Sequence, residues 1–169
     1  FDLAYLRCIP NLIIASPMNE VELRNLMYTA QLRQHSPFAI RYPRGTGVLT
    51  NWEVPFEEIE IGEGNVISEG GDVAVISIGH IGNMINNINK ELREDNTNIG
   101  HYDIRFLKPL DEKLLHIIFQ KYNYIITIED GCLKGGLGSA ILEFSNDNNY
   151  KNNIFRFGVP DQFIEHGSP

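Results

Sequence analysis

Basic charge is scarce in this chain. It has 14 Lys and Arg against 22 Asp and Glu, a net charge of −8. No basic excess exists to neutralise a phosphate backbone, which argues against nucleic acid as a general partner while leaving room for one local basic site. Cysteine is scarce too. Cys8 and Cys132 lie far apart and fit neither a zinc spacing nor a disulfide framework, so a reducing cytoplasm is the simplest reading. No apolar run approaches the roughly 20 residues of a membrane helix, and no signal-peptide pattern is present. The five histidines, His35, His80, His101, His116 and His166, include no pair at i, i+4 and none at ligand spacing from a cysteine, so no metal site is expected within the chain. Repeats and low-complexity tracts are absent. An initiator methionine is also missing: the chain opens on Phe1-Asp2 and closes on Gly167-Ser168-Pro169. Both ends read as cut, and the expectation is a piece of a longer polypeptide.

What remains is a globular composition, 43% hydrophobic and 21% charged, over 169 residues, enough for one to two domains. The stretch Phe38-Ala39-Ile40-Arg41-Tyr42-Pro43-Arg44-Gly45-Thr46-Gly47 organises it. Its first half is apolar enough for a buried strand. Pro43 must end that strand, having no N–H to donate, and Gly45 and Gly47 let the chain turn away. Arg44 thus falls just past the C-terminal end of a strand, where parallel α/β sheets bind ligands. A guanidinium there suits a phosphate or carboxylate. The alternative is that Arg41 and Arg44 are surface ion-pair partners.

Leu12 to Ala15, bracketed by Pro10 and Pro17, reads as a strand. Asn19, with Glu22 three residues on, forms a capping box with Asn in place of Ser or Thr. It opens a helix with Leu23, Leu26, Met27 and Ala30 at helical spacing, closed by Ser36-Pro37. With the strand from Phe38 to Tyr42 this makes one βαβ unit, which cannot cover both faces of its own strands. Residues 47–58 read as a linker that Trp52 pins to one domain. Beyond it, Gly62 and Gly64 suggest a bulged or edge strand pair within Glu57–Ser68. Strands are predicted at 73–78, 101–106, 124–128 and 153–157, all parallel. Helices at 81–93, 111–121 and 136–145 should cover the sheet, the second capped by Asp111 and stapled by Leu110 and Leu115. The fold class is therefore α/β: a mostly parallel sheet covered by helices on both faces, preceded by one βαβ unit.

Four further features carry two readings each. Gly135-Gly136-Leu137-Gly138 beside a helix start could cradle a phosphate, but it is not G-x-G-x-x-G and no Gly-Lys-Ser/Thr follows; small residues that let the helix lie close on the sheet are the better reading. His80 follows a strand end and could face a cleft, though a surface histidine is the plainer assignment. Glu129 and Asp130 end a strand at Glu129-Asp130-Gly131. They could do acid–base work, or cap the next turn and meet a basic neighbour. Cys8 and Cys132 have no histidine nearby in sequence and read as small packing residues.

With these residues in hand, the chain resembles the C-terminal portion of the 1-deoxy-D-xylulose-5-phosphate synthase family, itself similar to transketolase. The likeness runs through Asp2 to Asn11, Ala39-Ile40-Arg41-Tyr42-Pro43-Arg44-Gly45 and Phe106-Leu107-Lys108-Pro109-Leu110-Asp111. It continues in Glu129-Asp130-Gly131, Gly135 to Ser139, and Gly158-Val159-Pro160-Asp161 with Phe163-Ile164 and His166-Gly167. The resemblance implies a thiamine diphosphate- and Mg2+-dependent transferase. That enzyme joins pyruvate, with loss of CO2, to glyceraldehyde 3-phosphate, feeding isoprenoid, thiamine and pyridoxal precursor synthesis. It also implies a cytoplasmic homodimer with no nucleic-acid or membrane partner. Residues 1–46 would be the tail of the pyrimidine-binding domain, 47–58 a linker and 59–169 the third domain without its last helix. Arg44 matches the family's substrate-phosphate ligand, and Arg41 is a neighbouring substrate-site candidate. The cofactor residues and catalytic groups would lie upstream, so no catalytic, cofactor or metal residue is assigned here and the piece is expected to be inactive alone. Another transketolase-like enzyme, or a dimerisation module, remains the alternative.

Overall fold

The structure, a computed structural model, describes residues 1–32 and 36–165. His35, the His166-Gly167 motif and the chain's last residues lie outside the described residues.

The chain opens with a short helix, α1 (Asp2–Leu6), in a region the sequence reading left unassigned; it buries Leu3. Strand β1 (Ile13–Ala15) follows, then α2 (Glu20–Leu32) and β2 (Phe38–Ile40). β2 lies parallel to β1, as a βαβ unit requires. Asn19 caps α2 by accepting from the Glu22 N–H at 3.0 Å. Glu22 reaches back one residue further than a capping box would, accepting from Met18 N at 2.8 Å.

The face of α2 departs from expectation. Leu26 is buried, but Met27 is exposed, and the other buried positions are Glu22, Asn25 and Thr29. The reason is the segment after Gly47. It runs along the helix without regular structure and takes its hydrogen bonds from helix side chains. Asn25 Oδ1 accepts from Glu57 N at 3.1 Å, and Thr29 Oγ1 accepts from Ile59 N at 2.9 Å. Arg24 donates to the carbonyls of Trp52 and Val54 at 2.6 and 2.9 Å, its guanidinium over the Trp52 and Phe56 rings. Residues 47–60 are therefore a strap. Buried polar groups on α2 satisfy backbone N–H groups that would otherwise be lost from water without a partner.

Strand β3 (Asn65–Ser68) begins a five-stranded sheet that includes β4 (Val73–Ile78), β5 (Gly100–Asp103), β7 (Tyr124–Cys132) and β8 (Asn153–Val159). The order is β3-β5-β4-β7-β8. β4 is parallel to both neighbours and β7 to β8; only the edge strand β3 is antiparallel. Within Glu57–Ser68 the edge is one strand, not a pair. Helices α3 (Gly82–Glu94), α4 (Glu112–Lys121) and α5 (Leu137–Asp147) connect these strands. Asp111 caps α4, accepting from Leu114 N at 2.9 Å. Leu114, Leu115, Ile118 and Phe119 of α4 and Leu137, Ala140, Ile141 and Phe144 of α5 enter the core against Ala74, Ile76 and Ile125 of the sheet.

Two strands depart most from the expected extent. The strand expected over 101–106 is broken. β5 stops at Asp103, Arg105 takes a left-handed backbone (φ 53°), and β6 (Phe106–Lys108) leaves for the other sheet, antiparallel to β1. Arg105 holds that kink with an ion pair to Glu22 at 3.0 Å, while its carbonyl accepts from Ser16 N at 2.8 Å. β7 runs on through Glu129-Asp130-Gly131, where a turn was expected, because β8 continues to pair with it across an irregularity between Ile128 and Cys132. The five-stranded sheet shares its core with the preceding unit: Leu3, Leu12 and Ile14 pack into the same cluster as Ile76, Leu115 and Ile141. A smaller cluster of Ala15, Leu26, Ile59 and Phe106 lies between the first sheet, α2 and the strap.

Candidate functional site

β2 and its continuation set the site. Arg41 N donates to Ala15 O at 2.8 Å, extending the parallel pairing by one residue past Ile40. Tyr42 and Pro43 then leave the sheet, and the loop from Tyr42 to Val48 is exposed. Its far end is closed by Glu20 in the first turn of α2, whose carboxylate accepts from Val48 N at 2.7 Å and Leu49 N at 3.0 Å. Burial alone would push the Glu20 carboxyl up, but its own backbone N–H and those of Val48 and Leu49 hold it below its ordinary value.

Between these anchors Arg44 is free. It is exposed and makes no hydrogen bond or ion pair with another described residue. It lines a cleft of about 540 Å³ together with Met18, Asn19 and Tyr42 from its own side, and His80 from the turn that follows β4 and Asn83 from the first turn of α3. The opposite wall therefore comes from the five-stranded sheet. Asn83 fixes that turn by donating to Met18 O at 2.7 Å and His80 O at 3.0 Å. A larger groove, about 870 Å³, lies at Gly62–Gly64 and α4. It is bordered by Glu60, Glu63 and Glu112 beside Lys113, a rim unsuited to an anion.

Arg41 is placed differently. Its side chain is 16% exposed. Nη2 donates to the Asp130 carbonyl at 2.6 Å and to Asp130 Oδ2 at 2.9 Å; Nε faces Asp2 Oδ2 at 3.3 Å. Asp130 Oδ2 also stands 3.4 Å from His80 Nε2. Of the strand-end carboxylates, Asp130 thus meets a basic neighbour. His80 is only part-exposed and faces the cleft. Burial lowers its pKa, Asp130 pulls it back up and Arg41 pushes it down, and the net is below its ordinary value.

Glu129 takes the other role foreseen for it. It is buried and accepts from Leu137 N and Gly138 N, both at 2.9 Å, at the start of α5. Burial raises its pKa and the two N–H groups oppose that. The helix start at Gly135–Gly138 is thus filled by the chain's own carboxylate. A Cβ at Gly138 would come within 2.9 Å of Thr127 Oγ1, so the glycine lets helix and sheet approach. Among the described residues no cluster of three His, Cys, Asp or Glu is placed to hold a metal ion, and no helix is long and apolar enough to cross a membrane.

Comparison with known proteins gives the same outline twice. Residues 1–47 match the family described as transketolase, pyrimidine binding domain, and residues 62–169 match transketolase, C-terminal domain. The 1-deoxy-D-xylulose-5-phosphate synthase of Cytophaga hutchinsonii is 58% identical over 168 residues, and that of Bacteroides fragilis 59% over 169. Each match covers 99% of this chain but 26% of the relative, so the chain spans about a quarter of their length. Among solved structures, one described as a split gene transketolase, inactive beta4 tetramer, superposes with a TM-score of 0.85 at 28% identity, over 97% of this chain and 53% of that one. Transketolase from Campylobacter jejuni gives 0.67 at 17% identity, over 98% and 24%.

Proposed function

Because the chain belongs to the transketolase family, we propose that it is the C-terminal part of a 1-deoxy-D-xylulose-5-phosphate synthase in which Arg44 holds the phosphate of glyceraldehyde 3-phosphate. The observation that carries this is an arginine just past a strand's end, exposed in a cleft, with its loop tied at both ends and its own guanidinium unpaired among the described residues. A guanidinium fork binds a phosphate through two N–H groups at once and so orients as well as attracts it. Fixing the phosphate sets where the acceptor's aldehyde lies relative to the second substrate, pyruvate.

The whole enzyme of this reading depends on thiamine diphosphate and Mg2+. The described residues do not fit that group: they offer no metal cluster, and the helix start in the glycine cluster Gly135–Gly138 is closed by Glu129. In this reading the cofactor's holders lie in the remaining three quarters of the protein, residues 1–46 end the pyrimidine-binding domain, 59–169 form the third, and the piece is inactive alone. The protein is cytoplasmic and a homodimer. Exposed Phe155 and Phe157 on the edge strand β8 favour association, and the tetramer named for the split-gene relative is in keeping with it.

The test is an assay of the full-length protein with thiamine diphosphate and Mg2+. CO2 release from pyruvate that depends on glyceraldehyde 3-phosphate supports the reading. Two-carbon transfer from a ketose phosphate, with none from pyruvate, would instead support a transketolase, the rival that the 0.85 superposition on a split-gene transketolase favours.

A further inference from the structure

Arg41 and Arg44 are three residues apart, yet the fold treats them in opposite ways. Arg44 is exposed and unpaired among the described residues. Arg41 is largely covered: its Nη2 donates to both the carbonyl and the carboxylate of Asp130, and its Nε faces Asp2. Asp130 belongs to β7, in the five-stranded sheet, whereas Arg41 directly follows β2 of the three-stranded one. The contact therefore crosses from the unit that carries the arginine loop to the unit that supplies the cleft's other wall. The same carboxylate oxygen faces His80, which lines that wall.

We infer that Arg41 and Asp130 form a positioning pair that sets the acceptor cleft, fixing the strand end from which Arg44 projects against the wall that carries His80. This rests on Arg44 being the phosphate ligand. The pair touches no substrate. It acts by locking the backbone three residues before Arg44, where Pro43 already restricts the chain. A guanidinium held by two acceptors on one residue has its orientation fixed, and a lysine in its place has one mobile ammonium to offer. The third domain's part in the reaction is then to hold the acceptor site in shape, beyond any part in assembly.

The experiment is a double-mutant cycle on the full-length enzyme: Arg41→Ala, Asp130→Ala and the pair together, with Arg44→Ala beside them. Each is read by KM for glyceraldehyde 3-phosphate, KM for pyruvate, and melting temperature. The inference expects each single variant to raise the acceptor KM about three- to tenfold, and the double variant to do no worse than the worse single one, since interacting residues are not additive. Pyruvate KM should stay within about twofold, and Arg41→Lys should recover part of the loss. Should Asp130→Ala disturb folding, Asp130→Asn keeps the volume and the backbone carbonyl and should still raise the acceptor KM, by less. Three outcomes overturn the inference while leaving Arg44 in place: a lower melting temperature with unchanged acceptor KM in the single variants, effects that multiply in the double variant, or a loss in Arg41→Ala with none in Asp130→Ala, which would make Arg41 a direct ligand. An unchanged acceptor KM in Arg44→Ala would overturn the phosphate reading itself, and this inference with it.

Discussion

Glu129 closes the start of α5 from the neighbouring strand, its two carboxylate oxygens accepting from Leu137 N and Gly138 N at 2.9 Å each. A helix start leaves N–H groups without partners and a partial positive charge, which is why glycine-flanked starts so often take phosphates. Here the protein supplies its own anion. Glu129→Ala should destabilise the chain by about 1–3 kcal/mol, since two buried donors lose their acceptor. Glu129→Gln should cost less, because one amide oxygen still accepts. Thermal melting of the three proteins at one pH checks this; equal melting temperatures would show that water replaces the carboxylate at no cost.

The strap gives a second prediction. Thr29 is buried and its hydroxyl accepts from Ile59 N at 2.9 Å. Thr29→Val keeps the shape of the side chain but leaves a buried N–H without a partner, a loss of about 1–3 kcal/mol. The loss should be local. Hydrogen exchange at the Ile59 amide should quicken and limited proteolysis within residues 47–60 should speed up, while amides in β4 keep their protection. Faster exchange across β4 as well would mean that the strap is integral to the whole fold.

Why the strap was invisible in the sequence is a matter of period. A helical apolar pattern on α2 points to Leu23, Leu26, Met27 and Ala30, but the segment it meets has no regular structure and offers backbone N–H groups, so Asn25 and Thr29 are buried and Met27 is left out. The kink at Arg105 is hidden for a similar reason. Tyr102, Ile104 and Phe106 alternate with polar residues and are all buried, so the stretch reads as one strand, yet Ile104 packs in the larger core cluster and Phe106 in the smaller one beside the first sheet. β4 was plain because it is covered by neighbours on both sides and reads as an unbroken apolar run. At the site, Pro43 and the glycines announce the arginine loop. On the facing wall, His80 is legible only as a histidine past a strand end that could face a cleft, and Asn83 carries no signal, because only the meeting of the two sheets brings them opposite Arg44.

His101 gives a prediction in pH. It is fully buried, its Nε2 at 2.9 Å from Ser77 Oγ and Nδ1 at 2.9 Å from Asn86 Oδ1. Burial lowers its pKa to about 4 from the ordinary 6.5. The folded state therefore resists protonation. The stability it contributes is complete above about pH 6.5 and is lost as pH falls toward about 4, roughly 3 kcal/mol over the interval. Buried Asp103 works the other way: burial raises its pKa, so its share of stability is present below the usual carboxylate value and is lost as pH rises. The difference between proteins isolates the histidine. Melting curves of wild type and His101→Gln from pH 4.5 to 7.5 should converge toward acid, with wild type ahead near neutrality. A constant gap would show that His101 does not titrate between these limits.

The central claim is that Arg44 binds the acceptor's phosphate, and its most direct test is KM for glyceraldehyde 3-phosphate in full-length wild type and Arg44→Ala. A charge-assisted hydrogen bond is worth roughly 1.5–3 kcal/mol, so the variant should show a ten- to hundredfold higher acceptor KM. Pyruvate KM and melting temperature should hardly change, and Arg44→Lys should recover only part of the affinity. An unchanged acceptor KM, with or without a lower melting temperature, would contradict the account.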